Sequence, residues 1–308
     1  MKRVFVAIAT FAVAAAVASA QDYNAGIEAF NAGATALETS KTEALASFRN
    51  ALVQFEACEE PEAADMVAKC KEIIPGTILS MAKEQINAAD YDTAVATLAE
   101  ASSVAEGYGI DSIVKEAAEL LPNVYMRKGS SLIKAKDFVN AIPAFQEVIK
   151  LNPEDGQAYL LLGQATLQTG DVDGAIESLK KASELGQDAK ANKLLANTFL
   201  KKGQSLFKIG KNAEAIEALE ESNKYVESAN AYKLIAAAQT KSGKSADAIN
   251  TYKKYLEVDP EAKDAVDVMF TIAATAQKSG DKATAKEYYQ KLAGTKYAAQ
   301  AEAQLKAL

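Results

Sequence analysis

The 308-residue chain contains no histidine, only two cysteines and only six prolines, and after its first residues no apolar run approaches membrane-spanning length. The missing histidine excludes imidazole acid–base chemistry, Ser-His and Cys-His nucleophiles, and nearly every common zinc or copper site. Two cysteines alone cannot supply a thiolate zinc site without ligands from a second chain. No paired Asp/Glu constellation stands out, so the sequence points to no enzyme, no metal and no cofactor. Few prolines, sixteen glycines and abundant alanine, with almost no β-branched alternation, point to an all-helical protein.

Charge is equally one-sided. There are 34 Lys and Arg against 41 Asp and Glu, a net charge of −7. An acidic surface repels phosphate backbones and anionic headgroups, which argues against nucleic acid or a membrane surface as partner. The start of the chain, "MKRVFVAIATFAVAAAVASAQDYN", joins a basic Lys2-Arg3 pair to the uncharged run Val4 to Val17 and the small residues Ala18-Ser19-Ala20. This pattern predicts a signal peptide over 1–20, cleaved after Ala20. The run is shorter than the roughly 20 residues a membrane anchor needs. The expectation is an exported, periplasmic or secreted protein, without stable membrane insertion, whose mature form is more acidic by two charges.

What the chain does have is repetition. Alanine recurs at the same point of six helical turn motifs, at Ala94, Ala141, Ala175, Ala215, Ala248 and Ala285. Gly170, Gly210, Gly243 and Gly280 each stand five residues before one of them. Twelve residues before each alanine is a second small residue: Ala82, Gly129, Gly163, Gly203, Ala236 or Ala273. Small residues at that offset let paired antiparallel helices approach closely, and the segment between them ends one helix and starts the next. Bulky residues fill the places four after the alanine: Leu98, Phe145, Leu179, Leu219, Tyr252 and Tyr289. Tyr125, Tyr159, Phe199 and Tyr232 stand four before the first small residue, and Pro153 and Pro260 fall where a unit should end.

This order of bulky, small, small, bulky and proline resembles the tetratricopeptide repeat, a helix-turn-helix unit of about 34 residues. The clearest copy is "GQAYLLLGQATLQTGDVDGAIESLKKASELGQDA", from Gly156 to Ala189. The resemblance implies an all-α, right-handed superhelical solenoid of antiparallel helix pairs, about seven units long. Successive alanines lie 47, 34, 40, 33 and 37 residues apart, so the array is irregular. The long step, with Pro75 and Pro122 in matching places, predicts elongated first helices in two units, kinked or divided at the proline. A milder extension is expected before Phe199. The N-terminal unit keeps Gly26, Gly33, Ala44 and Phe48, with about six extra residues between its helices by the repeat's spacing. The chain thus divides into the leader at 1–20, an atypical N-terminal repeat with its lead helix at 21–74, a repeat plus second lead helix at 75–121, the array at 122–299, and a capping helix end at 300–308.

Such an array leaves a concave surface lined by the first helix of each unit. Helical spacing predicts who faces it. Asn123, Gln157, Asn197 and Asn230 hold one level, and Ser130, Gln164, Gln204 and Ala237 a second level two turns on. Met126, Leu160, Leu200 and Lys233 lie between. Side-chain amides both donate and accept, which suits the backbone of an extended peptide or the hydroxyls of a glycan. The same amides are equally consistent with a merely solvated helix face. Relatives that grip a peptide carboxylate place Lys, Arg and Asn here, and mostly neutral residues in this sequence do not support that clamp. The expected function is a non-enzymatic, exported scaffold for envelope proteins or extended peptides. The alternative is an accessory binder of glycan or another small ligand.

Cys58 and Cys70 flank the turn "EEPE". Their helix faces predict two buried, reduced thiols. The oxidising compartment favours a bridge. Against it, Cys58 stands opposite about Ala63, and the seven-residue offset to Cys70 amounts to roughly 10 Å along the axis, beyond disulfide reach.

Overall fold

A computed structural model describes residues 23–308, and every element in it is helical. The signal peptide expected over 1–20, with its cleavage point, falls outside these residues. The chain divides into two compact units at Lys128/Gly129.

The first unit contains α1 (Tyr23–Ala36), α2 (Lys41–Glu56), α3 (Ala63–Asn87), α4 (Tyr91–Tyr108) and the opening turns of α5 (Asp111–Lys134). Helix α1 packs on α2, α2 on α3, and α3 on α4. Phe48, Phe55, Cys70, Ile74, Ile78 and Leu98 form its buried centre. Helix α3 runs 25 residues through a buried Pro75, and α5 runs 24 through Pro122. The two lead helices are therefore continuous with their repeats. Each proline costs its helix one backbone hydrogen bond, but packing of the apolar stripe holds the helix together.

The N-terminal repeat differs from its expectation. Only Leu37–Ser40 separate α1 from α2, so there is no insertion between them. Gly33, rather than Gly26, is the counterpart of the small residue in the other units. A Cβ there would stand 2.7 Å from the Phe48 ring, as one at Gly129 would from Phe145. Gly26 sits two turns earlier, beneath Phe55. Spacing measured from Gly26 suggests an insertion, and spacing measured from Gly33 leaves none.

The second unit continues with α6 (Phe138–Leu151), α7 (Gly156–Thr169), α8 (Val172–Ala182), α9 (Asp188–Lys208), α10 (Asn212–Tyr225), α11 (Ala229–Lys241), α12 (Ser245–Val258), α13 (Ala265–Ser279), α14 (Lys282–Lys291) and α15 (Ala298–Ala307). The short turns make consecutive helices antiparallel, and α7/α8, α9/α10, α11/α12 and α13/α14 pack as pairs. Helix α9, at 21 residues, is the milder extension expected before Phe199. The six repeat alanines are fully buried. Leu179 lies on Gly163 and Leu219 on Gly203, so the bulky residue of one helix fills the gap left by the glycine of its partner.

The turn chemistry repeats as well. Asp90, Asp137, Asp171 and Asp281, each four residues before a repeat alanine, accept a hydrogen bond from the backbone N–H three residues on. Lys211 and Lys244 hold that place in the remaining repeats and give no side-chain cap. One residue earlier the backbone is left-handed in all six copies, including Ala89 (φ 62) and Lys136 (φ 61), where the sequence supplies no glycine.

Candidate functional site

The first helices of the second unit, α7, α9 and α11, carry the amide positions. On α7, Gln157 and Gln164 are half-buried on one face. On α9, which touches α11 directly, Asn197 is exposed and Gln204 half-buried. On α11, Asn230 is exposed and Ala237 half-buried. At about 100° per residue, positions i and i+7 return to the same side of a helix, which brings each pair together. Among the described residues, none of these five amide side chains is hydrogen-bonded to another protein group, so their donors and acceptors are available to a ligand or to water.

The residues between the amide levels behave less uniformly. Leu160 is only 1% exposed and belongs to the core with Leu179 and Leu195. It does not line the face. Leu161, half-buried and one residue on, takes its place between Gln157 and Gln164. Leu200 is half-buried and packs beside Leu219 and Ile235. Lys233 is exposed, but its ammonium pairs with Asp264, which also accepts the Tyr255 hydroxyl. The Lys233 bond, followed by the Tyr255 bond, holds the Asp264 carboxyl below the ordinary carboxylate range. Ser130 is half-buried at the start of the second unit. Asn123, exposed, and Met126, half-buried, belong to the first unit.

The aromatic column divides between core and surface. Phe199 is buried and stacks on Tyr225 at 5.9 Å with the rings nearly parallel. Tyr159 and Tyr232 are half-buried against the core clusters, and the Tyr232 hydroxyl donates to Glu227.

Two grooves lie where helical spacing alone did not direct attention, between the second helices of neighbouring repeats. One, of about 720 Å³, is lined by Ile142 and Ile149 of α6, Tyr159 and Thr166 of α7, and Glu177 and Ser178 of α8. The other, of about 490 Å³, lies between α10 and α12 with Gln239 of α11 among its lining residues. Both include the residue three places after the first small residue of the repeat, Thr166 or Gln239. That offset was the available signal.

The cysteines hold no bridge. Cys70 is fully buried on α3, and burial, followed by the charge of Glu56, raises its thiol to about 11. Cys58 is half-buried rather than buried, because α2 ends at Glu56 and leaves it in the turn, where its thiol meets Glu60. Among the described residues no group of three His, Cys, Asp or Glu is placed to hold a metal ion, and no helix is long and apolar enough to cross a membrane.

Residues 132–198, 200–265 and 267–295 each match a family model described as tetratricopeptide repeat, together more than half of the chain. Heat shock protein STI1 of Saccharomyces cerevisiae is 33% identical over 117 residues, covering 36% of this chain and 18% of that protein. Tetratricopeptide repeat protein 36 of Xenopus tropicalis is 36% identical over 86 residues, covering 28% of this chain and 40% of that one. The chain therefore spans less than half the length of both curated relatives. Among solved structures, MamA protein is 26% identical with a TM-score of 0.36, covering 57% of this chain and 91% of that one. YrrB, described as a TPR protein with an unusual peptide-binding site, is 17% identical with a TM-score of 0.34, covering 60% and 91%.

Proposed function

We propose, from the premise that this chain belongs to the tetratricopeptide repeat family, that it is an exported docking scaffold which holds an extended peptide or protein segment in the cell envelope. The family's fold is generally a non-catalytic support, and helical repeats of this kind hold protein or peptide partners. The contact surface we assign is the amide face of α7, α9 and α11.

One observation carries this reading. Gln157, Gln164, Asn197, Gln204 and Asn230 present side-chain amides with no hydrogen-bonding partner among the described residues, two turns apart on α7 and α9. An extended peptide offers unpaired N–H and C=O groups along its length, and a side-chain amide can satisfy either kind. The half-buried Leu161 and Leu200 supply apolar contact between the polar levels. Export rests on the leader at 1–20, whose basic pair, apolar run and small-residue site fit a secretory signal.

A photoreactive amino acid placed at Asn197 tests the surface in the producing cell. The expected product is a crosslinked polypeptide, found with the envelope fraction and absent when the photoreactive group stands at Glu257, an exposed residue of α12. Equal adducts at both positions, or glycan binding by calorimetry with no polypeptide adduct, would contradict the proposal.

A further inference from the structure

The groove between α10 and α12 contains an unmet hydrogen-bond acceptor. Gln239 is 9% exposed, and its Oε1 is buried without a donor among the described residues. Buried acceptors left without a donor are rare in folded proteins, and each calls for an explanation. Its counterpart in the α6–α8 groove needs none, because the Thr166 hydroxyl donates to the Leu162 carbonyl at 2.8 Å. Gln85 occupies the same repeat position on α3, and its Oε1 is likewise buried without a donor.

The rim shows what kind of donor fits. Glu217 and Glu220 of α10 and Asp247 of α12 are exposed around the groove, and none of them forms an ion pair among the described residues. Two lysines share the lining, but Lys254 lies 5.8 Å over the Tyr232 ring, and Lys244 stands at the start of α12. Three carboxylates against two ammonium groups leave the rim net acidic, and the floor accepts rather than donates. An anion would bring no proton for Gln239 and would meet the carboxylates. A cationic donor satisfies both.

We infer that the α10–α12 groove receives an arginine or lysine side chain from a polypeptide partner, with an N–H donated to Gln239 Oε1 and the positive charge held by Glu217, Glu220 and Asp247. Arginine fits best, because its planar fork offers several donors in fixed directions and can reach floor and rim together. The acidic balance of the whole chain favours the approach of such a segment. This site is separate from the amide face. Gln239 follows Asn230 by nine residues, about 180° round α11 at 100° per residue.

An NMR titration of the isotope-labelled chain over residues 21–308 tests this with three capped tripeptides, acetyl-Ala-Arg-Ala-amide and its Lys and Glu counterparts. The Arg peptide should shift resonances of α10, α12 and the end of α11, the Lys peptide should do so more weakly, and the Glu peptide should leave them in place. Gln239→Leu should weaken the Arg peptide at least threefold, a loss that nonspecific charge attraction would not show. Glu217→Gln with Glu220→Gln, both on the exposed side of α10, should do the same without entering the core, and so carries the test if Gln239→Leu disturbs folding. Shifts scattered over other acidic surfaces, unchanged affinity in the variants, or equal shifts with the Glu peptide would overturn the inference. Alanine at the five amides should not alter this titration, so failure of the amide face and failure of this groove are distinguishable.

Discussion

Leu179 of α8 lies across the backbone of Gly163 of α7, and a Cβ on residue 163 would stand 2.7 Å from its Cγ and 3.3 Å from the Ala175 carbonyl oxygen. The neighbour on one side is a branched carbon and on the other a helix backbone, so neither can yield cheaply. Gly163→Ala should gain about 1 kcal/mol of helix propensity and lose about 1–3 kcal/mol to overpacking, a net cost of about 0–2 kcal/mol. Leu179→Ala should cost about 2–5 kcal/mol. The double variant should cost less than the sum of the two, since the truncated leucine makes room for the added methyl. Urea unfolding of the four proteins checks this, and strict additivity would show that the contact does not limit the approach of the helices.

The turn before each repeat alanine gives a prediction of opposite sign. Ala89 and Lys136 hold left-handed backbone where Gly170, Gly210, Gly243 and Gly280 stand in the other copies. A non-glycine residue in this conformation is disfavoured by about 1 kcal/mol. Ala89→Gly and Lys136→Gly should each stabilise the protein by about that amount, seen as a higher midpoint in denaturant.

Acid should loosen the turn between α12 and α13 from α11 and α12, because Asp264 in that turn holds Lys233 of α11 and Tyr255 of α12. Lys233 and Tyr255 both hold Asp264, so its carboxyl ionises below the ordinary value of 3.8 in the folded chain. A depressed carboxylate stabilises the fold above its unfolded value, and that contribution is lost as pH falls through the folded value. The melting temperature should therefore drop between about pH 5 and pH 3, and Asp264→Asn should drop less over the same interval. An identical acid limb in wild type and variant would rule out this group as a source.

The two thiols should separate by reactivity. Cys70, fully buried and raised to about 11, stays protonated at pH 8 and shielded from reagent. A disulfide-exchange reagent should label Cys58 in the native protein and both residues after denaturation without reductant. Denatured protein with no reactive thiol would demonstrate a bridge.

Much of this architecture was legible because the repeat is written in small residues. The alanines fix where two helices touch, and the leucine or aromatic four residues on fixes what covers the preceding glycine. Pro75 and Pro122 could be located, but whether they divide a helix depends on packing around Ile74 and Ile78, which spacing does not reveal. The N-terminal unit is ambiguous in sequence because Gly26 and Gly33 both lie beneath phenylalanines and only contact shows which one matches the other repeats. Leu160 and Leu161 differ by 100° on α7, and core packing decides between them. The grooves between second helices are not legible in sequence because their character depends on one position that is threonine in one copy and glutamine in another. Whether that glutamine finds a donor depends on the side chains packed around it, which spacing along a single helix does not give.

Capture decides whether the amide face of α7, α9 and α11 holds the partner. The chain over 21–308 and a variant with Gln157, Gln164, Asn197, Gln204 and Asn230 all changed to Ala should be immobilised at equal density and exposed to the same envelope extract. Capture of the polypeptide crosslinked at Asn197 should fall at least tenfold in the variant while helicity by circular dichroism is unchanged. Equal capture by the two proteins would contradict it.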